Sequence, residues 1–232
     1  MIRIELVTSL DLRCLDGGWD FSHRNREAID RHWQGIATEK PALWNGQVLL
    51  CTGATAANGH FAATFTETDY ASFVAWRDWG RPDASVCNCF GVAAAFSSDG
   101  AMVLGVMGGW TLNAGKAYPP SGTLEPKDVR PDGTVDLFGN MRTELLEETG
   151  LDLHHSTVGD MVAIFEGPRL AIARRHDFAL SFAEMEKRFA ELSASEENPE
   201  LAAIEPVRAA SQIDSRMPPY AAEIIRYFIS ST

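Results

Sequence analysis

Three glutamates stand at i, i+3 and i+4 in the segment Met141-Arg142-Thr143-Glu144-Leu145-Leu146-Glu147-Glu148-Thr149-Gly150-Leu151. At about 100° per residue, Glu144, Glu147 and Glu148 would share roughly one third of a helix circumference. Their like charges repel one another at this spacing, and clustered carboxylate oxygens suit hard divalent cations such as Mg²⁺. A solvated acidic face on a surface helix would carry the same three residues, so the surrounding sequence has to decide between the two readings. Leu145 and Leu146 flank the acidic stripe and let the helix pack while presenting acid. Asp136 is the expected N-cap of a helix over 136–149, and Gly150 stands just past its end.

The elements that must position this helix are of both kinds. A short strand is expected over Arg3 to Val7, then a helix from about Ser22, as N-cap, to Thr38, stopped by Pro41. Gln47–Cys51 and His60–Phe65 form a hairpin around Asn58-Gly59, a type I′ turn pair. An aromatic-rich helix follows over 68–79. Phe90–Phe96 and Ala101–Met107 form a second hairpin, with further strands at 161–166, 169–176 and 201–209 and helices at 181–193 and 218–229. Strands and helices alternate, so the fold class is mixed α/β. The loop Gly80-Arg81-Pro82-Asp83 is the expected boundary between residues 1–83 and 84–232.

Composition narrows the function. The 232 residues carry a formal net charge of −12, which disfavours phosphate-tracking nucleic-acid binding but permits a small phosphorylated ligand neutralised by metal ions. No apolar run approaches the roughly 18 residues of a membrane span, and the N-terminus lacks a secretory pattern. Cys14, Cys51, Cys87 and Cys89 lack zinc-site spacing and read as reduced, mostly buried thiols. A cytoplasmic location is expected.

Upstream of the glutamates stands Tyr118-Pro119-Pro120-Ser121-Gly122-Thr123-Leu124-Glu125-Pro126. Together with Glu144-Leu145-Leu146-Glu147-Glu148-Thr149-Gly150-Leu151, it resembles the Nudix box. The resemblance implies a Nudix α/β/α sandwich over 84–232, with residues 1–83 as an α+β extension packed on it. It also implies a pyrophosphohydrolase of a small nucleotide, with Mg²⁺ (or Mn²⁺) held by Glu144, Glu147, Glu148 and the Ser121 carbonyl. Gly122 and Glu125 look like the family's Gly-x-x-Glu element, in which a loop turns back towards the helix. The general base is the least defined part; Glu200, in Ser195-Glu196-Glu197-Asn198-Pro199-Glu200, is the preferred candidate, and a solvated loop acid is an equal reading of it.

Three positions depart from the family pattern. Ser121 replaces a glycine, the loop Lys127–Val135 is long, with Asp128 standing where the family glutamate would be, and Thr143 replaces the box arginine. Arg142 is displaced by about 100° and should point elsewhere.

Arg31-His32-Trp33, Pro41-Ala42-Leu43-Trp44-Asn45-Gly46 and Thr68-Asp69-Tyr70-Ala71-Ser72-Phe73 extend the likeness to a branch containing a mammalian UDP-glucose and UDP-galactose hydrolase. A UDP-sugar is therefore the expected substrate, giving UMP and sugar 1-phosphate. An ADP-ribose-type pyrophosphatase and a catalytically weak nucleotide sensor remain open, as does a homodimer. Trp110, Lys116 and Tyr118 are candidate substrate contacts, through stacking or phosphate pairing. Arg26, Trp33 and Trp44 either cover the site or pack on the core. His154 and His155 read as surface residues, and Arg174, Arg175 and His176 as a solvent-exposed strand end.

Overall fold

The structure is a computed structural model and describes residues 2–230. In chain order its strands and helices are β1 (Arg3–Val7), β2 (Ser9–Cys14), α1 (Asp20–Arg24), α2 (Arg26–Glu39), β3 (Gln47–Ala57), β4 (His60–Asp69) and α3 (Tyr70–Asp78). They continue with β5 (Asn88–Phe96), β6 (Met102–Met107), β7 (Ala117–Tyr118), α4 (Leu137–Thr149), β8 (Ser156–Glu166), β9 (Arg169–Phe178), α5 (Phe182–Ser193), β10 (Leu201–Val207) and α6 (Pro219–Ser230). The class is mixed α/β, as expected. Among these residues no helix is long and apolar enough to cross a membrane.

One sheet runs in the order β1-β8-β9-β5-β6-β10, with β7 added beside β6. β5 and β9 pair in parallel and the other neighbours antiparallel. β5 is buried from Cys89 to Phe96, as befits a central strand covered on both faces. Alternate side chains point to opposite faces. Cys89, Met161, Ala163, Leu170 and Ile172 join Leu137 and Met141 of α4 and the inner face of the second sheet. Phe90, Val92, Val162, Ile164, Ala171 and Ala173 belong instead to the cluster that contains α6. The second sheet, β2-β4-β3, lies with α4 over the first face.

The first 83 residues contribute to both sheets, because β1 pairs with β8, Arg3 opposite Phe165. Strand β2 was not expected, although Ser-Leu-Asp-Leu-Arg-Cys alternates polar and apolar residues with the matching alternation of exposure; it is short and lies directly after β1, and its partner β4 pairs in parallel from about 50 residues away. The helix expected from Ser22 is broken at Asn25 into α1 and α2. Ser22 is no N-cap: its hydroxyl donates to the Trp19 carbonyl from inside α1. The β3–β4 turn does contain Asn58 and Gly59, both with positive φ, and the strands run further than expected.

α4 begins where the Asp136 carboxylate accepts from the Gly139 N–H at 3.0 Å, and ends at Gly150, whose φ is 73°. Its approach to the sheet depends on Gly91. A β-carbon there would lie 2.7 Å from Met141 Cγ and 3.1 Å from Leu137 Cδ1. Gly91→Val is therefore expected to destabilise the fold by about 1–3 kcal/mol, the usual cost of overpacking a core. A lowered urea midpoint with an unchanged slope would show it; an unchanged midpoint would mean that the helix is free to move outward.

Candidate functional site

The α4 register turns the expected acidic stripe into three different environments. Glu147 is exposed, Glu144 is half-buried and Glu148 is 8% exposed. Burial first, then the charge of Glu200, Glu144 and Glu147, pushes the Glu148 carboxyl well above its ordinary range; the Ser121 backbone N–H, bonded to it, works the other way. Its Oε2 has no hydrogen-bond partner. Burial also pushes the Glu144 carboxyl up to about 7; the nearby Lys127 ammonium opposes this, and Glu147, Glu200 and Glu125 add to it.

Gly122 explains how the loop comes so near. A β-carbon on it would fall 1.9 Å from the Glu144 carboxyl carbon. No other residue type leaves the Glu144 carboxylate where it is.

The loop 121–136 is tied down by Asn140, fully buried and not singled out in the sequence. Its Nδ2 lies 3.1 Å from Asp128 Oδ2 and 3.4 Å from both the Thr123 carbonyl and Glu144 Oε1. Asp128 also accepts from the Glu125 N–H at 2.9 Å, closing a short turn. The signal that could have found Asn140 is its position one helical turn before Glu144, on the acidic stripe. Lys127 pairs with Glu125 at 3.1 Å. Thr143 and Arg142 both line a cleft with Lys127, Asp128, Arg130 and Glu147, and the Arg142 guanidinium donates to His154 Nε2 at 2.5 Å.

Glu200 comes to the glutamates from another element. Its carbonyl accepts from the Gly108 N–H at 2.7 Å, and the neighbouring Pro199 carbonyl accepts from Trp110 Nε1 at 3.0 Å. Burial, then Glu196 and Glu147, push its carboxyl up. Trp110, Glu144, Glu147, Glu148 and Glu200 line one cleft of about 360 Å³. A second cleft of about 340 Å³ shares Trp110, Glu144 and Glu200 with it and continues past Tyr118, Ser121, Gly122 and Glu125 to Trp44 and Tyr70 of the N-terminal segment. That segment is anchored by Lys40, whose Nζ donates to the carbonyls of Gly109, Trp110 and Thr111 at 2.9–3.3 Å.

The structure thus brings together Glu144, Glu147, Glu148, Glu200, Trp110, Tyr118, Ser121, Gly122 and Glu125. It leaves out Lys116, which is exposed on the Asn113–Lys116 turn and lines neither cleft. Tyr118 is buried, its hydroxyl accepting from Asn113 Nδ2 at 3.1 Å. Trp44 is 74% exposed at the cleft mouth, whereas Trp33 packs on Tyr70 and Arg26 pairs with Asp69, the N-cap of α3. The strand end at 174–176 is not open to solvent as expected: His176 is buried with Nδ1 3.0 Å from the Ser156 hydroxyl, and Arg174 lies over the Phe138 ring. All four cysteines are free thiols, Cys51 and Cys89 buried and Cys14 and Cys87 partly so.

These carboxylates fit a divalent cation. The unpartnered Glu148 oxygen, the Glu144 carboxylate cradled by Gly122 and the upward-shifted carboxyls describe acidic groups packed together with only the Lys127 ammonium to offset them, an arrangement that a bound cation would relieve. Among the described residues no three acidic, His or Cys side chains already surround a common point.

No family model matches the chain, and no curated protein matches it. Solved structures similar to it include the MutT protein from Methanosarcina mazei Go1, at 19% identity and a TM-score of 0.39 over 62% of this chain and 93% of that one. The Nudix hydrolase RenU from M. smegmatis is similar at 16% identity and a TM-score of 0.38, over 62% and 83% of the two chains. The E. coli ORF135 protein is similar at 16% identity and 0.38, over 62% and 91%.

A carboxyl with a raised pKa holds its proton more tightly in the fold than in the unfolded chain. The contribution of Glu144 to stability is therefore full below about 4.5 and is lost as pH rises through about 7. In metal-free protein, Glu144→Gln is expected to raise Tm near pH 8 by several degrees more than near pH 5, since roughly 2–4 °C corresponds to 1 kcal/mol in a domain of this size. An equal change at both pH values would contradict the assigned environment.

Proposed function

We propose that the chain is a divalent-cation-dependent Nudix pyrophosphohydrolase of a nucleoside diphosphate derivative, with a UDP-sugar as substrate. The observation that carries this reading is the contact of Gly122 with the Glu144 carboxylate. It joins the two halves of the box-like sequence across the long loop Lys127–Val135. On this reading residues 84–232 form the hydrolase unit, and residues 1–83 supply one wall of the cleft through Trp44 and Tyr70.

Glu144, Glu147 and Glu148 would hold Mg²⁺ or Mn²⁺, with the Ser121 carbonyl beside them. When bound, the cation neutralises diphosphate charge and makes water more acidic. Glu200 then takes the proton of the attacking water at its carboxylate; its upward-shifted pKa makes it a stronger base than an ordinary carboxylate. The new bond joins water oxygen to phosphorus, and the phosphorus–oxygen anhydride bond breaks, so UDP-sugar yields UMP and sugar 1-phosphate. Trp110, fixed by its bond to the Pro199 carbonyl, orients ligand at the junction of the two clefts. Tyr118, closed in by burial, shapes the wall.

A nucleotide sensor is the second reading, and Thr143 favours it. Arg142, the one arginine of the helix, bonds His154 and makes no ion pair with Glu144, Glu147 or Glu148. The two separate on incubation with Mg²⁺ and UDP-glucose, UDP-galactose, ADP-ribose and GDP-mannose, with products resolved by ion exchange. UMP release is expected, falling roughly 10²–10⁴-fold in Glu200→Gln and abolished in Glu148→Gln. Tight binding without turnover of any compound would establish the sensor instead.

A further inference from the structure

Beyond Gly122 the cleft opens into a third cavity, of about 140 Å³, that shares Tyr70, Asn113, Tyr118, Ser121, Gly122 and Thr123 with the second. Its far wall carries Arg77, Arg81 and Arg169, and no carboxylate lines it. Three guanidinium groups around one cavity are unexpected in a chain of net charge −12. Arg77 and Arg169 each have one acidic partner, Asp78 at 2.8 Å and Glu166 at 3.3 Å. Arg81 has no carboxylate partner among the described residues; its guanidinium lies 5.9 Å from the Trp76 ring.

The backbone at Arg81 is also unusual. Its φ is 60°, left-handed and uncommon for a side chain of this size, and it follows Gly80 at 83°. The Arg81 N–H bonds the Trp76 carbonyl at 2.8 Å, so the end of α3 holds the turn and directs the arginine to the cavity. Strained backbone of this kind persists where surrounding structure over-determines it, often at ligand sites. Burial, and then repulsion from Arg169 and Arg77, push the Arg81 pKa down, with Glu166 only partly offsetting them. With Asp78 and Glu166 pairing two of the three guanidinium groups, the charge of Arg81 is left without an ion-pair partner among the described residues.

We propose that Arg77, Arg81 and Arg169 form a binding subsite for a phosphoryl group in this third cavity, across Gly122 from Glu144. Guanidinium forks match phosphate oxygens and remain charged at any working pH. The subsite rests on the hydrolase reading and deepens it by requiring that one phosphoryl group of the diphosphate face the arginines past Gly122, but binding there needs neither cation nor turnover.

The test follows arginine Nε–H signals by NMR in metal-free protein titrated with inorganic phosphate, UMP and uridine. Phosphate and UMP are expected to shift the arginine signals and uridine to leave them unmoved. The midpoints should rise at least tenfold in Arg81→Gln and in Arg169→Gln. Glu148→Gln should bind as the unaltered protein does, so a failure of the hydrolase reading leaves this result standing. UMP binding more tightly than phosphate would assign the phosphoryl group to a nucleotide, and equal affinity would assign the subsite to free phosphate. Unmoved arginine signals, or equal midpoints in folded Arg81→Gln and Arg169→Gln as judged by Tm, would overturn the proposal.

Discussion

Glu144 and Glu148 are withdrawn from water on one helix, with Glu200 close enough to raise the pKa of both. Burying like charges together opposes folding unless they take up protons or a counter-ion, so the elements around them must hold the arrangement against its own repulsion. Gly91 lets α4 lie close against the central strand, and the cap at Asp136 sets its start. Gly122 lets the preceding loop close over the Glu144 carboxylate, and the Ser121 N–H reaches the Glu148 carboxylate. The site is in this sense a load that packing carries.

The long loop after Glu125 is integrated rather than looped out. Asp128 and Asn140 stitch it to α4, and Asp136 both caps the helix and donates its N–H to the Asp128 carbonyl at 2.7 Å. Lys127 brings the ammonium that partly offsets the Glu144 environment from this loop, on a side of the helix where Thr143 brings no charge. The N-terminal segment is equally integrated, through β1 in the central sheet and Lys40 under the Trp110 loop. The cleft walls therefore come from both ends of the chain.

Local signals made much of this legible. The Asn58-Gly59 turn, the capped α4 helix and the apolar strands β5, β6 and β9 declare themselves by turn chemistry and periodicity. What long-range pairing decides was not legible: the alternation of β2 does not reveal that its parallel partner is β4, and α1 separates from α2 at Asn25 without a proline or glycine to mark it. In the site, the spacing of the glutamates was readable, but not that one would be exposed and another 8% exposed. Asn140 escaped notice because its role depends on a loop arriving from 12 residues earlier. Lys116 looked like a phosphate ligand by its place in the sequence, yet the turn carrying it faces outward.

The central claim is that these carboxylates form a cation site whose charge is held back by protons until the cation arrives. Titration calorimetry of Mg²⁺ into metal-free protein near pH 7, repeated in two buffers of different ionisation enthalpy, measures this directly. The account predicts saturable binding accompanied by proton release, with the release reduced in Glu144→Gln and binding abolished in Glu148→Gln. Binding with no proton release, or no Mg²⁺ binding at millimolar concentrations, would contradict it.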